Sequence, residues 1–394
     1  MIDIGKAVAA LPTSPKNPRN GEGTFLRKKD GSLLYVYTHY CGESYEDHAI
    51  ANLYAITSTD EGENWSQPQL FLEKDPAAEN IMSPSLIRLP NGDMGILYNR
   101  KEKMPDQGVT CMPVFRSSSD EAATWSDWGF CGAPDGYYCM INDGAIVQRN
   151  GRILVALSYH GLRFDAFGCC TLDLSAQKNG DIRFVASEDN GATWYMLPAV
   201  LSTPFEDSVG FAEPGVYEHQ DGELWCWFRT PYGFQYEARS ADNGAHWTSP
   251  VPNFHFTSPA APMRVKQVGP YTVALFNPTP ISCVNSQMLW GAGKRTPLIC
   301  AVSDRDGQDF RTFGLTLSDT SLQKFFDHCY AVESDPTNLY CYPAIYACRD
   351  GFLVAYYDSA NTPNCLNAGK VKKIPFTQIS SAFDETPVEE IIQK

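Results

Sequence analysis

The octapeptide Ser187-Glu188-Asp189-Asn190-Gly191-Ala192-Thr193-Trp194 decides how this chain folds, because it recurs. Copies run over Ser58 to Trp65, Ser118 to Trp125 and Ser240 to Trp247, with a worn one at Ser303 to Phe310. The common frame is Ser, any, Asp, any, Gly, any, any, Trp. In a tight turn between strands the Asp carboxylate accepts backbone N–H bonds, Gly supplies a positive φ, and Trp folds back as an apolar plug. Successive copies begin 60, 69, 53 and 63 residues apart, so one structural unit repeats along the chain. Two copies carry poorer chemistry. Ala122 stands where Gly is expected, and Arg305 and Phe310 replace Asp and Trp in the last.

Upstream of each box lies a second repeat, two apolar strands around a tight Gly turn, which is a strong hairpin signal. The hairpins are Thr24 to Thr38, Ser85 to Asn99, Gly144 to Tyr159, Gly215 to Phe228, Met263 to Phe276 and Ala344 to Asp358. Each unit therefore reads as strand one, Gly turn, strand two, loop, strand three, box turn, strand four. Six such units with almost no helical periodicity predict an all-β protein, a six-bladed β-propeller of four-stranded antiparallel blades, forming a single domain over residues 1–394. A β-sandwich has no need of a box at such regular intervals. The sixth unit has a third strand, Lys370 to Thr377, but no box after it. Its fourth strand is expected from Ile2 to Leu11, which covers an otherwise open sheet edge. The tail Asp384 to Lys394 is charged and expected to be peripheral.

The totals narrow the partners. A net charge of −15 speaks against nucleic acid, although a local arginine cluster can still hold an anion, since distant charge is screened over roughly 8–10 Å. The apolar runs are strand-sized and interrupted, and Met1 to Ala10 has no basic start followed by a long apolar stretch, so neither a membrane span nor an export signal is expected. Thirteen cysteines at irregular spacings, Cys169 and Cys170 among them, read as reduced thiols of a cytoplasmic protein. His39 and His160 lack a third ligand at metal-binding spacing, and no phosphate loop or dinucleotide fingerprint occurs, so no metal and no cofactor are expected.

Topology sorts residues by face. Gly turns and box turns share one rim, so strand-one starts, strand-two ends and the loops between strands two and three share the other. That second face gathers Arg19, Glu22, His39, Asp47, Ser83, Arg100, Asn142, Asp143, His160, Glu213, Arg229, Arg295, Tyr340, Tyr342 and Asp358. Carboxylates, arginines and tyrosines at one mouth are what acid/base work on a polar ligand requires.

With these repeats and this mouth, the chain resembles the sialidase superfamily over nearly its whole length. The resemblance implies roles residue by residue. Asp47, eleven residues before Ser58, is similar to the acid/base aspartate. Glu213, in Glu213-Pro214-Gly215-Val216, matches the glutamate that activates the nucleophile, and Tyr342, nine residues before Gly351, matches the nucleophile. Tyr340 is the fallback nucleophile, because strand alternation puts it on the same side as Tyr342. Arg229 and Arg295 resemble the second and third arginines of the family's carboxylate-binding triad. The first triad position falls on Glu22, with Arg19 three residues out of register. A tyrosine nucleophile suits an anomeric carbon that bears a carboxylate, whereas a glutamate in the triad opposes one. The resemblance thus implies a sialidase-like exo-glycosidase acting on a small carbohydrate or glycoconjugate, with a sugar other than sialic acid expected. Arg19, Glu22, Arg100, Asp143, His160, Arg229, Arg295 and Tyr340 form the expected substrate-binding set. An ordinary sialidase completed by Arg19, a carbohydrate-binding propeller without catalysis and an interaction propeller remain as alternatives.

Overall fold

At four of the hairpins the glycine of an Asn-Gly or Asp-Gly pair (Gly31, Gly92, Gly151 and Gly222) takes φ between 87 and 90°, which lets two strands fold back in register. The computed structural model describes the chain except residues 1–2, 104–107, 133–135, 162, 165–169, 172–179, 205–209, 280–294, 312–324, 326, 360–365 and 380–394. Ile2, Cys169 and the tail from Asp384 lie outside the described residues, and the side chain of Cys170 is not described.

The meander of each unit follows from these turns. The first unit comprises Asn20–Arg27, Leu33–Tyr40, Ala51–Ser58 and Gln69–Leu72. In the second, Ala78–Arg88, Met94–Lys103, Val109–Ser118 and Gly129–Phe130 follow in order. The third is the least regular: its first strand is only Ile146–Val147, and Gly136–Cys139 takes over the rest of the edge of Ile153–Gly161. The fourth runs Ala212–Glu218, Leu224–Arg229, Phe234–Ser240 and Val251–Thr257, and the fifth begins at Arg264–Val268 and ends at Cys329–Glu333. In the sixth, Tyr340–Ala347, Gly351–Asp358 and Ala368–Pro375 are joined by Lys6–Leu11, which pairs antiparallel with Ala368–Pro375.

Strand one of each unit touches that of the next, except that Ala212–Glu218 of the fourth meets Ile153–Gly161 of the third, and the sixth touches the first, so the sheets stand around an axis as an all-β propeller. The sheets are not six separate ones. Units three to six are four separate blades, whereas units one and two share one eight-stranded sheet through the single parallel pair Ala51↔Asn80. Asn80 makes that join: its amide donates to the carbonyls of Asp47 and Ala49, both at 2.9 Å. Apolar clusters fill the gaps between successive units. Leu34, Val36 and Leu53 meet Ile81, Met94 and Ile96 between the first two, and Leu33, Tyr35 and Ile56 meet Leu353, Ala355 and Val371 where the sixth meets the first.

The boxes are built as their sequence requires. In the copy at Ser187, Asp189 accepts from the Thr193 backbone at 2.8 Å, Ser187 Oγ accepts from Gly191 N at 2.9 Å, and the Trp194 indole donates to the Gly191 carbonyl at 3.1 Å. The residue before the Gly is left-handed too, with φ of 59° at Asn190. The copy with Ala122 keeps the turn at a cost. Ala122 sits at φ 74°, and its Trp125 indole N–H has no hydrogen-bond partner among the described residues. In the worn copy Ser303 hydrogen-bonds Asp309 instead, and Phe310 is fully buried in place of Trp.

Candidate active site

Six non-glycine residues, one at the entry to each unit's first strand, have left-handed backbones: Glu22 (φ 51°), Ser83 (52°), Asp143 (57°), Glu213 (45°), Ala260 (53°) and Tyr342 (54°). Each such conformation costs about 1–3 kcal/mol. At four of them the pairing register of strand one slips, between Gly21 and Thr24, Met82 and Ser85, Ala212 and Gly215, and Cys341 and Ala344. A bulge re-aims side chains that simple alternation would send elsewhere, which is why these positions carry function more readily than glycine would. The following residue is Pro at Ser83, Glu213 and Tyr342, and Gly at Glu22 and Asp143. That pattern was a readable signal for Ser83, because Pro cannot donate to a ladder. Ala260 carried no such signal.

The bulges bring Tyr342 of the sixth unit and Glu213 of the fourth together. Tyr342 Oη donates to Glu213 Oε1 at 2.6 Å, and Arg229 Nη1 donates to the other carboxylate oxygen at 2.7 Å. Burial first, then the Glu213 charge, push the Tyr342 phenol well above its ordinary range, so it is protonated and donates to Glu213. The Arg295 guanidinium lies 5.6 Å from the Tyr342 ring centre and is held by the Ala260 carbonyl at 3.2 Å. Ala260 thus aims an arginine with its backbone.

Arg19 and Glu22 adjoin this pair through Tyr357, whose ring centre lies 5.9 Å from that of Tyr342 and whose hydroxyl meets both. Arg19 donates from Nη2 to Glu22 at 2.7 Å, from Nη1 to Asp47 at 2.5 Å, and from Nε to Tyr357 Oη at 2.8 Å. Glu22, 3 % exposed, also accepts from Ser83 Oγ at 2.5 Å and from Tyr357 at 3.4 Å. Two carboxylates therefore share one guanidinium and shift in opposite directions. Burial raises Glu22 against the pull of Arg19. For Asp47 desolvation is outweighed by Arg19 and Lys101, which hold it well below the usual carboxylate range. The Asp47 side chain is 65 % exposed, and Lys101 Nζ fastens its loop by donating to the Asp47 carbonyl at 2.7 Å. Tyr357 and Lys101 were missed from sequence. Tyr357 lies one residue before Asp358 at the same strand end, and Lys101 one beyond Arg100.

Other expected members are elsewhere. Tyr340 is 1 % exposed and packed in the core beside Tyr356, because the bulge at Cys341 to Ala344 breaks the alternation that would have kept it beside Tyr342. Arg100 turns to Asp75 and Glu102 and lies over Trp128. Asp143 is the floor of the site, and its carboxylate is spent on Thr24 at 2.9 Å, Lys266 at 2.5 Å and the Ile345 backbone at 3.3 Å. Beside it, Asn142 donates to the Gly23 carbonyl at 2.8 Å and the Tyr342 carbonyl at 3.5 Å. Asn142 and Asp143 therefore tie strand one of units one, five and six beneath Glu22 and Tyr342. His160 lies beside Tyr137, and His39 is stacked on Tyr54. Among the described residues no group of His, Cys, Asp and Glu is arranged to hold a metal ion.

A family model, the BNR repeat-like domain, matches residues 31–354. No curated protein matches the chain significantly. Several solved structures share the fold. A protein of unknown function from Dyadobacter fermentans is 16% identical with a TM-score of 0.64, covering 94% of this chain and 99% of that one. A Hadza microbial sialidase is 14% identical with a TM-score of 0.66, covering 95% of this chain and 69% of its own. The intramolecular trans-sialidase of Ruminococcus gnavus, solved with oseltamivir carboxylate, is 14% identical with a TM-score of 0.65, covering 96% and 99%. With the repeat model matched over most of its length and boxes of this geometry, the chain belongs to the BNR repeat-like domain family, and it shares its β-propeller fold with solved sialidases.

Proposed function

We propose that this protein is an exo-acting glycoside hydrolase of sialidase-like type that removes a terminal sugar from a small carbohydrate or glycoconjugate. The observation that carries the reading is the Tyr342–Glu213 hydrogen bond with Arg229 behind it. Glu213 takes the phenolic proton as Tyr342 attacks the anomeric carbon, and Arg229 keeps Glu213 in place. Asp47 at the mouth is the acid/base. In the resting protein Arg19 holds it ionised, so it must leave Arg19 to carry a proton to the leaving oxygen.

The sugar follows from the charge balance. Arg19 already faces Glu22 and Asp47, and Arg229 faces Glu213, while Arg295 has no carboxylate within 4 Å among the described residues. Three guanidiniums are thus set against three carboxylates, which leaves little positive field for a sugar acid at the usual position. The favoured substrate is a glycoside that presents hydroxyls to this wall, neutral or with its acid group elsewhere. Six blades in one domain belong to the same proposal, counting the eight-stranded sheet as two, and so does a cytoplasmic setting, supported by thirteen cysteines without paired spacing.

A propeller that binds carbohydrate without cleaving it is the second reading, favoured by the Arg19–Asp47 clasp. Hydrolysis of a panel of aryl glycosides, sialic acid and neutral sugars side by side, separates the two. Release of the aryl group from a sugar other than sialic acid is expected. Binding without release from any member selects the second reading, and release from sialic acid at rates usual for sialidases removes the substrate assignment.

A further inference from the structure

A second cavity lies on the axis, away from Tyr342. Strand one of units three, four and five walls about 500 Å³, and its charged lining is Asp143, Arg149, Glu218, Arg264, Lys266 and Asp306. Arg149 and Glu218 stand beside the Asn150-Gly151 and Asp221-Gly222 turns, and Asp306 lies in the worn box, so this end of the cavity is at the turn rim. Asp143, Arg264 and Lys266 are at its inner end, directly beneath the floor of the first site.

The charges at the two ends are satisfied differently. At the rim, Glu218 accepts from the Arg149 backbone at 2.9 Å, and Asp306 accepts from Tyr217 Oη and Gln220 N, each at 2.5 Å. Arg149 donates to the Gln220 carbonyl at 2.7 Å. At the inner end one carboxylate meets two cations. Asp143 pairs with Lys266 at 2.5 Å. Arg264 is 2 % exposed and donates from Nη2 to the Asn142 carbonyl, while its Nε has no hydrogen-bond partner among the described residues. Among the described residues no carboxylate lies within 4 Å of it. A buried guanidinium with no carboxylate in salt-bridge contact is costly, and a negative group arriving in the cavity offsets part of that cost. Burial pulls Arg264 down to about 10 and lowers Lys266 as well, in each case against the attraction of Asp143.

We propose that this axial cavity binds a small oxyanion, a carboxylate or a phosphate group, against Arg264 on the face opposite Tyr342. Planar guanidinium donors suit either group, and the cavity admits more than a bare ion. Arg264 holds the Asn142 carbonyl and Asn142 holds that of Tyr342, so the two sites share a chain of hydrogen bonds. The assignment does not depend on glycosidase activity.

Calorimetric titration of the protein with sodium acetate and with sodium phosphate, at fixed ionic strength, tests it. Saturable binding of at least one anion is expected, about tenfold or more weaker in Arg264→Met, since a charge-assisted pair is lost. Acetate alone points to a carboxylate ligand and phosphate alone to a phosphorylated one. Arg149→Glu, at an exposed position on the rim, keeps the fold and weakens binding by reversing a wall charge, so the test stands even if Arg264→Met does not fold. Arg295→Met leaves the affinity unchanged. Absence of saturable binding to the wild type, indifference to both Arg264→Met and Arg149→Glu, or loss in Arg295→Met alone overturns the proposal.

Discussion

Replacing Tyr342 with Phe removes one oxygen and little else. The ring keeps its edge contact with Tyr357, centroids 5.9 Å apart, and its place under Arg295. What is lost is the 2.6 Å bond to Glu213. Hydrogen bonds to charged groups contribute about 1.5–3 kcal/mol, but Glu213 retains Arg229 and its side chain is 14% exposed, so water replaces part of the bond. The expected loss of stability in urea is about 1 kcal/mol. Turnover behaves differently, because the variant has no nucleophile. On whichever aryl glycoside the wild type cleaves, kcat is expected to fall at least about 10³-fold, equivalent to about 4 kcal/mol of transition-state stabilisation. Glu213→Gln removes the proton acceptor and is expected to cost about 10²–10⁴-fold. Since the two act as one unit, the double variant costs about as much as the worse single one. Tyr342→Phe within tenfold of wild type, or single losses that multiply in the double variant, would refute the nucleophile assignment.

Deleting residues 1–11 unpairs the strand on Ala368–Pro375 and removes Ile4 and Leu11, both nearly fully buried, each contributing about 1.5–3 kcal/mol; a melting temperature equal to that of the full chain would rule out a structural role for the pairing. Because Asp47 is held below the usual carboxylate range, its acid form becomes commoner as pH falls. kcat/KM on glycosides with poor leaving groups should therefore rise about tenfold for each pH unit of acidification above that pKa, while activated aryl glycosides respond weakly, and parallel profiles for the two substrate types count against Asp47 as the acid. Glu22→Arg sets a second cation against Arg19 in a buried site, so a loss of about 3–5 kcal/mol in urea and no gain of sialic acid hydrolysis are expected; a stable, sialic-acid-cleaving variant contradicts the charge balance argued above. Ala122→Gly relieves a left-handed alanine and is expected to stabilise the fold by about 1 kcal/mol, and an unchanged or lower urea midpoint shows that the Ala122 methyl contributes more than its strain costs.

The local repeats were legible because their physics is local. A Ser-x-Asp-x-Gly-x-x-Trp turn satisfies its own hydrogen bonds within eight residues, and an Asn-Gly hairpin sets its own register, so unit length, strand order and the all-β propeller could be read along the chain. Spacing from those turns also located Glu213, Arg229 and Tyr342, because a fixed number of strand residues separates rim from mouth. Where alternation was trusted through a bulge, it failed. Tyr340 and Tyr342 are two residues apart, yet one lies in the core and the other on Glu213, since the left-handed turn at Tyr342 resets the register. Contacts between segments distant in sequence were likewise invisible along the chain. Arg19 paired with Asp47, Asp143 spent on Lys266, and the single Ala51↔Asn80 pair that fuses two blades all join residues that no local pattern relates. Such pairings depend on which side chains the closed ring brings within about 3 Å, and so on the tertiary structure alone.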